Sequence, residues 1–222
     1  MRVSLIIPAL NESDCLPPLL DEVPAGLIHQ VIVVNNGSTD KTAEVARMAG
    51  ALVVEEPRQG YGFACAAGTA AAEGEVLAFM DGDGSFAPGE LPGLLAPLVR
   101  NEADLVLGSR MRGNGVFMPS HQRFGNLLFA WLLRRRFGLS LTDLGPYRAI
   151  RRDLLIELNM REHTYGWPLE MIIKAARLHN RIVEVPVMYR PRIAGQSKVG
   201  GTLRGSILTA YRFFMVTLRY AI

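Results

Sequence analysis

Asp81 and Asp83 stand one glycine apart, directly after the apolar run Val76 to Met80. Two carboxylates so spaced can both reach a hard divalent cation, which takes oxygen ligands. Such a cation, Mg²⁺ or Mn²⁺, would neutralise a diphosphate as it leaves. The plainer reading is a solvated turn after a strand, where Asp and Gly are common in any protein. A second polar segment, Pro8-Ala9-Leu10-Asn11-Glu12, sets an amide and a carboxylate just past Val3 to Ile7. It suits a nucleotide base, a ribose or a metal-bound diphosphate, although Asn11 or Ser13 could equally cap a following helix. The turn Gly37-Ser38-Thr39-Asp40, after Val31 to Val34, carries the same two readings.

These segments need elements to bring them together. Short β-branched runs alternate with helical patterns through the first half, which predicts a parallel sheet with crossover helices. Strands are expected at Val3 to Ile7, Val31 to Val34, Ala51 to Glu55 and Val76 to Met80, with helices at 14–22, 39–49 and 60–72 between them. Asp40 falls in the first turn of the second helix, and Gly and Ala in the third allow close packing on the sheet. In open parallel sheets ligand sites form at the carboxyl ends of strands. Pro8–Glu12, Asn35–Asp40 and Asp81–Asp83 all fall at such ends, which is the main architectural argument for one site.

The second half is less regular. It predicts a helix over Glu90 to Arg100, a short strand at Leu105 to Leu107 and an apolar helix with basic ends over 121–137. After a break at Gly145-Pro146 come Tyr147 to Leu158, a helix at Leu169 to Leu178 and a late strand at Ile182 to Tyr189. No repeat, low-complexity tract or linker argues for a second domain. The expectation is one domain over 1–222, with 1–110 holding the donor and 111–222 the acceptor.

Composition excludes several classes. A hydrophobic fraction of 49% with 20% charged residues rules out a disordered or collagen-like chain. The net charge of +3 does not by itself imply nucleic acid. Two cysteines, Cys15 and Cys65, give neither a disulfide framework nor metal-ligand spacing, and a reducing, cytoplasmic setting is the simpler reading. No stretch reaches the roughly 20 apolar residues of a spanning helix. Two segments, Phe124 to Leu133 and Ser206 to Ile222, are apolar enough to lie at an interface.

The order Ile-Pro-Ala-Leu-Asn-Glu, Val-Val-Asn-Asn-Gly-Ser-Thr-Asp and Met-Asp-Gly-Asp resembles family 2 glycosyltransferases of the GT-A fold, and within them the dolichol- and polyprenyl-phosphate sugar synthases. Later stretches fit as well. They are Gly108-Ser109-Arg110, Arg123-Phe124-Gly125-Asn126, Asp143-Leu144-Gly145-Pro146-Tyr147-Arg148, and Arg190 through Gly195-Gln196-Ser197-Lys198. The resemblance implies an α/β, Rossmann-like, mostly parallel sheet flanked by helices, with peripheral amphipathic helices in the C-terminal half. It also implies inverting transfer of a hexose from a UDP- or GDP-sugar to a polyprenyl phosphate. One departure is Asn35-Asn36, where the family usually carries aspartates; an amide both donates and accepts, so Asn36 can still touch a base edge.

On this resemblance Asp81 and Asp83 hold the cation, while Pro8, Ala9, Asn11, Glu12, Asn36, Asp81, Gly82 and Asp83 line the donor. Asp83, Arg123, Arg192 and Lys198 form the catalytic set, and Arg110, Arg123, Arg190 and Lys198 hold the acceptor phosphate. The Gln-x-x-Arg-Trp motif of hydroxyl-glycosylating relatives is absent, and Glu170 and Asp143 are the remaining candidates for a base. A phosphate acceptor needs no base, because its oxygen is already ionised; it needs cations. Trp131 beside Arg134, Arg135 and Arg136 suits the headgroup level of a membrane, and Tyr211, Phe213, Phe214, Leu218 and Tyr220 could join it. The 121–137 helix could instead be core or a homodimer surface. Peripheral placement at the inner face of the cell membrane is expected, with a soluble acceptor or binding without catalysis as alternatives.

Overall fold

The computed structural model of the chain describes residues 1–113, 120–195 and 203–221. Seven strands form one mixed sheet in the order β3-β2-β1-β4-β6-β5-β7. They are β1 (Val3–Ala9), β2 (Gln30–Asn35), β3 (Leu52–Glu55), β4 (Val76–Phe79), β5 (Leu105–Ser109), β6 (Arg148–Arg151) and β7 (Ile182–Pro186). The helices are α1 (Leu16–Asp21), α2 (Thr42–Met48), α3 (Tyr61–Ala71), α4 (Leu91–Val99), α5 (Ser120–Phe137), α6 (Arg152–Leu158), α7 (Trp167–Arg177) and α8 (Leu203–Ala221).

The β3-β2-β1-β4 part of the sheet is parallel, and both its faces are covered. That is why β1 and β4 read as nearly unbroken apolar runs. Alternation along β1 sends Ile6 to one side, with Ile32, Val34, Phe79 and the helices α3 and α7. Leu5 and Ile7 go to the other side, with Leu16, Leu19, Ala46 and Leu94. Ile6 pairs with Ile32 on one flank and with Phe79 on the other. This register ends β1 and β2 together at Ala9 and Asn35, while β4 stops earlier, opposite Ile6; the three polar segments still emerge from the same edge, as the sequence predicts.

The stretch Tyr147 to Leu158 divides into β6 and α6. β6 runs antiparallel to both β4 and β5. Its pattern Arg-Ala-Ile-Arg is short and charged at both ends, which hides a central strand. The late strand stops at Pro186, and residues 187–195 then cross back over the site.

α5 and α8 contact each other, with Phe129 edge-on to Phe213 at 5.2 Å between ring centroids. Ala130 and Leu133 of α5 and Val216 of α8 are buried, whereas Phe124 is 69% exposed and Trp131 and Phe214 are each 55% exposed. The 121–137 segment is thus core on one side and bare on the other. Among the described residues no helix is long and apolar enough to cross a membrane.

Candidate functional site

The loop after β1 carries Glu12, the segment after β4 carries Asp81 and Asp83, and the crossing strand after β7 carries Arg192. Arg192 joins them. Its Nη2 donates to both oxygens of Glu12 at 2.8 and 2.9 Å, and its Nη1 donates to Oδ2 of Asp83 at 2.7 Å. All three side chains are mostly buried. Gly82 between the aspartates leaves little room for a side chain, because a Cβ there would lie 3.2 Å from Ile7 and 3.3 Å from the Pro8 carbonyl.

Backbone contacts hold this arrangement together. The amides of Ile193 and Arg190 donate to the carbonyls of Asp83 and Ser85. Arg190 Nε donates to the Gly84 carbonyl, and its Nη2 pairs with Glu22 at 2.9 Å. Asp83 Oδ1 accepts from the Ser85 amide. Burial pushes the Asp81 carboxyl up to about 7, and the charge of Asp83 adds to this; Arg110, Arg148 and Arg192 work against it.

The loop after β1 is tied sideways instead of capping α1. The Asn11 amide donates to Ser38 Oγ, and its side-chain oxygen accepts from Thr39 N at 2.8 Å. The Glu12 amide donates to Thr42 Oγ1. Burial alone would raise the Asp40 carboxyl, yet hydrogen bonds from Thr42 and Ser13 bring it below its usual range. Asn11 accepts this geometry in the left-handed region at φ 51°, which Asn tolerates better than most residues. Pro8 and Ala9 close β1 beside it, half-buried and buried respectively.

Asn36 is buried, and its side chain is spent on the chain's own backbone. Its Nδ2 donates to the carbonyls of Glu56 and Arg58 at 3.0 and 2.8 Å, and its Oδ1 accepts from Gly60 N at 2.8 Å. Three bonds to one loop explain an amide here, since a carboxylate could not make the two donations. The loop continues into α3, whose first amides, Gly62 and Phe63, donate to the His163 carbonyl. Its helical N-terminus is therefore already capped by protein.

The other predicted cations and carboxylates are placed as follows. Arg110 forms a two-pronged pair with Asp143 at 2.8 Å on each arm and lies over the Tyr189 ring. Arg123 opens α5 with an exposed side chain. Lys198, with Gln196 and Ser197, lies outside the described residues. Glu170 accepts from the amides of Arg161 and Glu162 and pairs with Lys174 at 2.7 Å. Asp143 and Glu170 are thus both fully buried and engaged, which leaves neither oriented as a base.

Arg148 was legible only as part of a motif. It is fully buried, and its guanidinium bonds the carbonyls of Leu144, Gly145 and Pro168, with Nε left without a partner. Arg148 pairs with Phe79 across the sheet, so it shares a face with Asp81, two residues on. No charge pattern announces such a residue, because arginine is ordinarily read as surface.

Among the described residues no group of three His, Cys, Asp or Glu could enclose a metal. The Asp81–Asp83 pair is an all-oxygen, two-carboxylate donor set. It fits a Mg²⁺- or Mn²⁺-like cation that completes its shell with water and phosphate oxygens.

The family profile for glycosyl transferase family 2 matches residues 4–158. An uncharacterized glycosyltransferase of Mycobacterium tuberculosis is 44% identical over 214 residues, covering 96% of this chain and 97% of its own length. An undecaprenyl-phosphate mannosyltransferase of Micrococcus luteus is 37% identical, covering 92% and 90%. Among solved structures, glucosyl-3-phosphoglycerate synthase from Mycobacterium tuberculosis with Mg²⁺ and uridine diphosphate superposes with a TM-score of 0.78 at 26% identity, covering 99% of this chain and 79% of that one.

Proposed function

Because this chain belongs to glycosyl transferase family 2 and adopts the GT-A fold, we propose that it moves a hexose from a UDP- or GDP-sugar to a polyprenyl phosphate, with inversion at the anomeric carbon. The observation that carries the reading is the meeting of Glu12, Asp83 and Arg192 beyond the strand ends, in the segment that also holds Asp81. Residues 1–110 supply the donor half and 111–222 the acceptor half of one domain.

Asp81 and Asp83 would hold Mg²⁺ or Mn²⁺, which supplies charge neutralisation at the departing diphosphate. The magnesium and uridine diphosphate of the solved relative support that choice. Pro8, Ala9, Asn11, Glu12 and Gly82 shape the donor pocket, and Asn36 supports it by pinning the 56–60 loop. Arg192 pairs directly with Asp83, and Arg123 and Lys198 complete the set offered to the acceptor phosphate. Arg110 and Arg190 stiffen the frame from their pairs with Asp143 and Glu22. An acceptor phosphate oxygen attacks the anomeric carbon, and the bond to the nucleoside diphosphate breaks with its electrons going to the phosphate oxygen. An ionised acceptor needs no base, which agrees with the engagement of Asp143 and Glu170. Positioning and electrostatics supply most of the rate.

The bare faces of α5 and α8 support a membrane-side acceptor. Exposed Phe124, Trp131, Tyr211 and Phe214 stand with Arg134, Arg135, Arg136 and Arg212, a mixture suited to anionic headgroups. The test is nucleotide release from UDP- and GDP-sugars with Mn²⁺ or Mg²⁺, each with and without a short polyprenyl phosphate. Release that depends on the lipid phosphate supports the reading. Release without it moves the acceptor to a soluble compound.

A further inference from the structure

Resting on the donor reading above, we propose that Arg192 couples entry of the divalent cation to entry of the diphosphate, so that the two bind together and each binds weakly alone. The guanidinium already occupies the carboxylates that a cation needs. Nη1 sits 2.7 Å from Oδ2 of Asp83, while Nη2 is shared between the two oxygens of Glu12. A free divalent cation at Asp81 and Asp83 would meet a fixed positive charge on one of its own ligands.

The segment that bears Arg192 does not yield easily. Its neighbours are held by Ile193 N to the Asp83 carbonyl and Arg190 N to the Ser85 carbonyl. The Ile193 side chain fills the space over Gly84, where a Cβ would come within 2.4 Å of it. Cys15 Sγ donates to the Ala194 carbonyl at 3.6 Å. Withdrawing Arg192 from Asp83 with nothing in exchange strands a mostly buried charge, and such stranding is the costly outcome for a buried pair.

A diphosphate removes that cost. Arginine's planar fork donates to phosphate oxygens as readily as to carboxylates. Nη2 keeps Glu12 while Nη1 exchanges Asp83 Oδ2 for a phosphate oxygen, and Asp83 is released to the cation. Arg192 is thereby a positioning residue for the donor as well as a charge beside it. Because coupling is reciprocal, the cation must raise diphosphate affinity by the same factor.

The experiment follows free Mn²⁺ by electron paramagnetic resonance with the full chain, with and without UDP or GDP, correcting for Mn²⁺–nucleotide association in solution. The expected result for the native protein is Mn²⁺ binding strengthened about tenfold or more by a nucleoside diphosphate. Arg192→Met should bind Mn²⁺ alone more tightly than the native protein and lose most of that enhancement. Arg192→Lys, a point charge that cannot fork, should fall between them and serves if the methionine variant does not fold. A folded variant with the native enhancement, or with weaker binding of Mn²⁺ alone, overturns the proposal and leaves the donor reading standing. No Mn²⁺ binding by the native protein with either diphosphate overturns both.

Discussion

The guanidinium of Arg192 reaches Asp83 across 109 residues of chain, Nη1 to Oδ2 at 2.7 Å, while the same group holds Glu12 from 180 residues away. Glu12 and Asp83 are therefore both balanced by one side chain of the protein's own. Substitutions at the site can be judged against that balance.

Asp83→Ala should abolish turnover and spare the fold. Arg192 retains Glu12 but loses its second carboxylate, so the melting temperature should fall by several degrees, about 2–4 °C for each kcal/mol lost, with the folded state still populated. Nucleotide release should fall roughly 10³-fold or more, the scale of losing several kcal/mol of charge stabilisation. Activity near the native level in a folded variant would remove Asp83 from the metal site.

The Asp81 carboxyl, at about 7 in the folded chain, lies above its ordinary value of 3.8. Folding therefore favours its protonated form. Metal-free stability should fall as pH rises from about 4 through about 7 and then level off. A divalent cation requires the ionised form, so Mn²⁺ affinity should climb with pH up to about 7 and flatten above it. Melting curves and Mn²⁺ titrations over that range check both arms. A flat Mn²⁺ affinity would contradict the assignment of Asp81 as a ligand.

Asn36→Asp restores the residue type usual in the family, and here it should be harmful. A carboxylate cannot donate to the Glu56 and Arg58 carbonyls, and the oxygen replacing Nδ2 would then face both of theirs, while the other keeps the Gly60 amide. The expected loss is about 1–3 kcal/mol in urea unfolding. An unchanged midpoint would mean that the 56–60 loop does not depend on this amide.

Strand ends and the aspartate pair were legible because each apolar run is short and breaks abruptly into polar residues. Asn36 looked like a base contact because sequence gives a residue's place but not its direction, and its partners lie 20 to 24 residues on. The pairing of Arg192 with Glu12 and Asp83 was invisible for the same reason at longer range. β6 was missed because four residues with arginine at each end carry too little pattern to announce a central antiparallel strand.

Trp131→Glu and Phe214→Glu should weaken binding to anionic vesicles several-fold and leave melting unchanged, since both residues are more than half exposed. Sedimentation with vesicles reads the first and thermal unfolding the second. If either change instead turns a dimer into a monomer with vesicle binding intact, the bare face serves self-association.

The crossing of residues 187–195 over the strand ends bears on what counts as the smallest inheritable piece of this enzyme. The family profile stops at residue 158, and both aspartates and Glu12 lie within it. A fragment cut there would keep every donor-side motif and lose the arginine that balances them. It would also lose β7, the outer neighbour of β5. Modularity thus ends before the site does: the matched region can be recognised alone, but the charge of its carboxylates is completed only by the last third of the chain. Shuffling of N-terminal halves between relatives should succeed only where the incoming sequence finds an arginine waiting after the last strand.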